Sequence, residues 1–140
     1  MKKLSLLLTV FIFFATALKA QNQAPNWTSN QLIQPAVLAS EINSGKNIPV
    51  IICVGPGAVI PQSIHTGEAG KAAGITNLKT ELRKHKKDEN IVIYCGCCPF
   101  AHCPNVRPAI EELKKEGFTN YHLLNLPQNI TPIGLPKAIR

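Results

Sequence analysis

Two uninterrupted apolar runs, "IPVIICVG" and "NIVIYC", stand out from an otherwise mixed chain. Both are rich in β-branched residues and lack polar alternation, the pattern of strands covered on both faces. "NYHLLNL" reads as a last strand, and residues 63–65 are a short further candidate within the Pro- and Gly-rich "PGAVIPQSIHTG". Elsewhere the apolar spacing turns helical. Leu32, Ile33, Ala36, Val37, Leu38 and Ile42 recur at that spacing, Pro35 suits a first turn and Gly45 a stop, so a helix is predicted over residues 34–43. "EAGKAAGITNLKTELRKHKK" predicts a second helix from Thr76 onward, because Gly70 and Gly74 weaken its first half. "NVRPAIEELKKEGF" predicts a third, with Asn105 as N-cap, Pro108 in the first turn and Gly117 as the stop. Strands that alternate with helices give an α/β domain of three layers, a mainly parallel sheet with helices on both faces.

The ends read differently. Residues 1–20, "MKKLSLLLTVFIFFATALKA", have a basic start, an apolar run and a terminal Ala20, which predicts a signal peptide cut near Ala20 and a periplasmic or secreted protein. The run falls short of the ~20 residues that span a bilayer, so no stable membrane insertion is expected once it is removed. Residues 21–31 are polar and aperiodic, a flexible leader. Residues 32–126 form one domain, and residues 127–140 are a proline-rich tail. Losing Lys2, Lys3 and Lys19 with the signal leaves twelve basic residues against eight acidic, a surplus that "RKHKK" supplies by itself. Such a run reads as a solvated helix end. It is not a nucleic-acid groove, which needs spread basic residues with aromatics between them.

Chemistry concentrates in "YCGCCPFAHCPNVRP", where four of the five cysteines fall within nine residues. Cys95 ends a buried strand and a helix starts after the loop. The crevice beyond the C-terminal ends of parallel strands is where ligands bind, and a helix start favours an anion such as a thiolate. No acidic residue lies between Tyr94 and Glu111, while His102 and Arg107 do. Cys95 is therefore expected to be a low-pKa nucleophile.

"IVIYC", a loop, and a helix ending in "LKKEGFTNYHLLNL" resemble the second half of a rhodanese-like domain. "VIICVG" and "VIPQSI" sit where that family has its first core strand and the turn and strand after it. The resemblance spans about residues 32–126. It implies a sulfurtransferase in which Cys95 carries a persulfide, cradled by backbone N–H groups between Gly96 and Asn105, with Cys97, Cys98, His102 and Arg107 in or beside the cradle. The chain departs from the family in its longer loop, in Cys53 where an acidic residue is common, and in Gly96 where a basic residue follows the nucleophile. Leu126 and Pro127 replace the usual glycine pair.

Three chemistries compete for the loop. A persulfide carrier takes sulfur from a small sulfane donor, or exchanges it with an exported protein thiol, while Arg107 steadies the anionic leaving group. An exported thiol–disulfide oxidoreductase pairs Cys95 with a resolving partner among Cys97, Cys98 and Cys103. A metal site or a non-catalytic module is the third; His102 would join the thiolates, but adjacent Cys97 and Cys98 are expected to point apart, so neither metal nor cofactor is expected. A bracing disulfide such as Cys98 to Cys103 is compatible with a reactive Cys95. Phosphatase chemistry is set aside because Ala101 stands where its arginine is needed. Cys53 reads as a buried small hydrophobe, and His65, His85 and His122 have no partner pattern. The loop's extra length must either widen the cradle or fold part of it away, and a widened mouth suits a partner larger than thiosulfate. A monomer is expected, with no nucleic-acid partner.

Overall fold

A computed structural model describes residues 27–57 and 60–127, where a five-stranded, all-parallel sheet carries helices on both faces. The elements run β1 (Leu32–Ile33), α1 (Pro35–Ser44), β2 (Val50–Cys53), β3 (Ile64–His65), α2 (Ala72–Leu82), β4 (Ile91–Tyr94), α3 (Val106–Lys115) and β5 (Tyr121–Leu124). Strand order is β1-β5-β4-β2-β3. The two uninterrupted apolar runs are the central neighbours β2 and β4, paired from Val50 with Ile91 to Cys53 with Tyr94. Alternate side chains leave the sheet on opposite sides. Ile52, Val54, Ile91, Ile93 and Cys95 meet Leu78 and Leu82 of α2 and Val106, Ile110 and Leu113 of α3. Ile51, Cys53, Val92 and Tyr94 meet Leu38 and Ala39 of α1 on the other face. Cys53 is fully buried there, as its apolar surroundings predict.

Four local differences from the sequence reading have physical causes. Leu32 and Ile33 are not the lead-in to α1 but an edge strand, in register with Leu123 and Leu124. Gln34 before Pro35 is extended (φ −76°, ψ 143°), so the helix starts only at the proline. Second, α2 begins at Ala72 rather than near Thr76 and includes a buried Gly74. A Cβ there would overlap the Glu68 carbonyl, so this glycine permits close approach instead of weakening the helix. Third, the leader's last residues are folded onto the domain. Thr28 and Gln31 close a capping box around a 3-10 turn at Ser29–Gln31, and Trp27 packs against the α2/α3 side of the core. The folded unit thus begins before residue 32. Fourth, Asn105 stands at the N-cap of α3 without making a cap hydrogen bond.

Gly45 (φ 66°) and Gly117 (φ 79°) stop α1 and the chain after α3 in the left-handed region that favours glycine. The "RKHKK" run follows the end of α2, where Lys84 pairs with Glu81 at 2.6 Å and Lys87 lies 3.8 Å from Glu116. Among the described residues no helix is long and apolar enough to cross a membrane. The expected signal peptide, residues 21–26 of the expected leader and the residues beyond Pro127 lie outside the described residues.

Candidate functional site

Because every strand runs the same way, the segments after β2, β3, β4 and β5 all gather at one edge of the sheet. Cys95 follows β4 there. Tyr94 points to the α1 side, where its hydroxyl receives the Ile60 N–H at 3.2 Å and meets Ser63 Oγ at 2.9 Å. Cys95 points to the opposite side, toward the first turn of α3. Gly96 turns the chain back at φ 58°. That reversal brings Cys97 Sγ to 3.0 Å from Cys95 Sγ, and Cys98 Sγ lies 3.3 Å from Cys97 Sγ. A 3-10 turn at Phe100–His102 then absorbs the extra loop length, pinned by the Phe100 N–H to the Leu126 carbonyl at 3.1 Å. It returns Cys103 to the group, so that all four Sγ atoms lie within 4.8 Å of one another. Of the two outcomes open to a long loop, folding away is the one realised. Cys95 and Cys103 keep only 4% and 3% exposure, while Cys97 and Cys98 are half-buried.

One side chain singles out Cys95. Asn105 Oδ1 accepts the Gly70 N–H at 2.8 Å, which fixes the orientation of the amide and leaves Nδ2–H to donate to Cys95 Sγ at 3.4 Å. This is what Asn105 does in place of capping its helix. Gly55 packs so closely that a Cβ there would lie 2.6 Å from Cys95 Sγ, and the ring Nε2–H of His65 holds the Gly55 carbonyl at 2.7 Å. Gly55, His65 and Gly70 were not legible as site residues, since each acts through a contact across separate loops.

The electrostatics follow from this packing. Hydrogen bonds from the Cys103 thiol, then from Cys97 and Asn105, outweigh burial and hold the Cys95 thiol down at about 5. Burial and the Cys95 sulfur push Cys97 up to about 12, and Cys103 is raised chiefly because its proton serves Cys95. Desolvation raises Cys53. The negative charge therefore sits on Cys95, with Cys97 and Cys103 protonated beside it. Replacing Asn105 by Asp keeps an acceptor for Gly70 but turns a donor to the thiolate into a second anion. We expect Asn105→Asp to raise the Cys95 pKa by about one unit or more, read from the pH dependence of its alkylation. An unchanged profile would remove Asn105 from the site.

The expected cradle is thus assembled in part. Gly96, Cys97, Cys98, Cys103 and Asn105 surround Cys95, whereas His102 is exposed on the 3-10 turn and the Arg107 guanidinium lies over the Trp27 ring, 4.9 Å from its centroid. The groups that stabilise the thiolate most are Cys103, Cys97 and Asn105. All five cysteines are free thiols, Cys98 and Cys103 included. The reason for setting metal aside does not hold, because the sulfurs of Cys97 and Cys98 face each other. Four thiolates around a tetrahedral ion with bonds of about 2.3 Å stand about 3.8 Å apart, within the range these sulfurs span, so Cys95, Cys97, Cys98 and Cys103 fit one thiophilic ion without His102. Comparison with protein-family models, curated proteins and solved structures gives no match.

Proposed function

We propose that this chain is a rhodanese-like sulfurtransferase, acting outside the cytoplasm, that carries a persulfide on Cys95. The observation that carries the reading is the asymmetry of the cluster. Cys95 Sγ alone accepts Asn105 Nδ2–H, at 3.4 Å, and lies 3.0 Å from Cys97 Sγ, so the hydrogen bonds converge on a single sulfur, as a one-sulfur carrier needs. The Cys95 thiolate attacks the sulfane sulfur of a donor, the donor's S–S bond breaks, and its electron pair leaves with the donor fragment, sulfite in the case of thiosulfate. The terminal persulfide sulfur carries the charge that the thiolate gave up. Asn105 Nδ2–H and the Cys97 N–H, which bond the Cys95 sulfur, supply donors for that anion at little reorganisation cost. The order of strands and helices around Cys95, on which the family resemblance rests, supports the same reading.

The test is incubation of the reduced protein with thiosulfate or an organic persulfide, followed by mass spectrometry. One added sulfur on Cys95 is expected, absent from Cys95→Ser. Reduction of a model disulfide with no sulfur uptake from either donor would favour the second reading, thiol–disulfide exchange. That alternative draws on the 3.0 Å separation of Cys95 and Cys97, close enough for Cys97 to resolve a mixed disulfide.

A further inference from the structure

Three of the sulfurs are linked by contact within the compact cluster. Cys95 is buried at the end of β4, Cys97 Sγ is 3.0 Å from its sulfur, and Cys98 Sγ is 3.3 Å from Cys97 Sγ, with Cys97 and Cys98 half-exposed. A carrier that only stores sulfur on Cys95 needs no thiols in contact with it. A bulky acceptor, moreover, has little access to a sulfur that is 4% exposed under Gly55. We propose that Cys97 and Cys98 are a relay that moves the sulfane sulfur outward from Cys95 and presents it to an acceptor thiol at the surface. The inference rests on the sulfur-carrier reading and assigns the partner class: a small donor enters at Cys95 and a larger thiol is served from Cys98.

Each step is redox-neutral and balanced. The outer sulfur of the Cys95 persulfide takes the Cys97 proton, the Cys97 thiolate so formed attacks that sulfur, a new S–S bond forms on Cys97, the old one breaks, and the electron pair returns to Cys95 as thiolate. Cys98 then repeats the step on Cys97, and the acceptor thiol repeats it on Cys98. Attack on the inner sulfur would instead expel sulfide and leave a Cys95–Cys97 disulfide. Asn105 Nδ2–H is already directed at Cys95 Sγ to receive it as the leaving group, so the outer sulfur is the one transferred.

The experiment uses the full mature chain, reduced, loaded with thiosulfate and freed of excess donor. Alkylation and fragmentation mass spectrometry then locate the added sulfur, and delivery is timed to cyanide, which is small, and to glutathione, which is larger. Wild type is expected to carry added sulfur on Cys95, Cys97 and Cys98. Cys97→Ser should confine it to Cys95 and lower the ratio of glutathione to cyanide delivery about tenfold or more. Cys98→Ala should allow sulfur on Cys97 and likewise lower the ratio of glutathione to cyanide delivery. Sulfur found on Cys95 only in the wild type, or an equal glutathione-to-cyanide ratio in all three proteins, overturns the relay. So does release of sulfide with formation of a Cys95–Cys97 disulfide. Absence of added sulfur from every cysteine is a separate result, which overturns the carrier reading and the relay with it.

Discussion

Between pH 8 and pH 6 the alkylation rate of Cys95 is expected to stay nearly constant, while that of an ordinary thiol such as glutathione falls about 100-fold. Only the thiolate reacts. Holding the Cys95 thiol at about 5 keeps the reactive form populated through this window, and the rate is lost only as the pH falls through that value. Rate shape is a better readout than rate size. A less basic thiolate is intrinsically slower, by about 50-fold over four pKa units at a Brønsted slope of 0.4–0.5, which cancels most of the gain from its greater abundance at neutral pH. Cys53, buried and raised, is expected to label last. Cys95→Ser should remove the flat limb entirely. A Cys95 rate that drops tenfold per pH unit from pH 8 downward would mean that its three donors do not hold the charge.

Gly74→Ala is expected to destabilise the fold by about 2 kcal/mol, although alanine is the better helix former. In an open helix the change gains about 1 kcal/mol. Here the new methyl would run into the backbone of Glu68 and Ala69. That segment cannot yield cheaply, because the Ala69 N–H bonds the Val54 carbonyl at 3.1 Å and the Gly70 N–H holds Asn105 at 2.8 Å. Overpacking against fixed backbone therefore decides the sign. Urea denaturation measures the loss, and the alkylation profile measures its reach, since a displaced Gly70 frees Asn105 and raises the pH at which Cys95 loses its reactivity. A variant as stable as wild type would show that the α2 contact is soft.

How much of this was legible from residues alone depends on how far each feature reaches along the chain. Uninterrupted β-branched runs and helically spaced apolar positions are local records of burial, so the alternation of strands and helices, the parallel sheet and the buried state of Cys53 follow from the sequence. So does the location of Cys95 where a strand gives way to a loop and then a helix. A two-residue strand such as Leu32–Ile33 is too short to carry a period, and its pairing with Leu123 and Leu124 is decided across the whole domain.

The character of the cysteine loop is tertiary throughout. The strand end and the helix start point to Cys95 as the thiolate, but nothing in "CGCCPFAHC" says which groups hold its charge. That is settled by the left-handed turn at Gly96, by the 3-10 turn pinned to Leu126, and by an asparagine whose orientation is set by a backbone N–H thirty-five residues earlier. The same patterns also misdirected the reading of Asn105 as a cap, of Gly74 as a helix weakness and of Cys97 and Cys98 as facing apart. For the first two the local preference is worth about 1 kcal/mol, small enough for contacts between separate loops to override. Sequence periodicity reports which face of an element is buried. What three loops do where they meet has no period to report it.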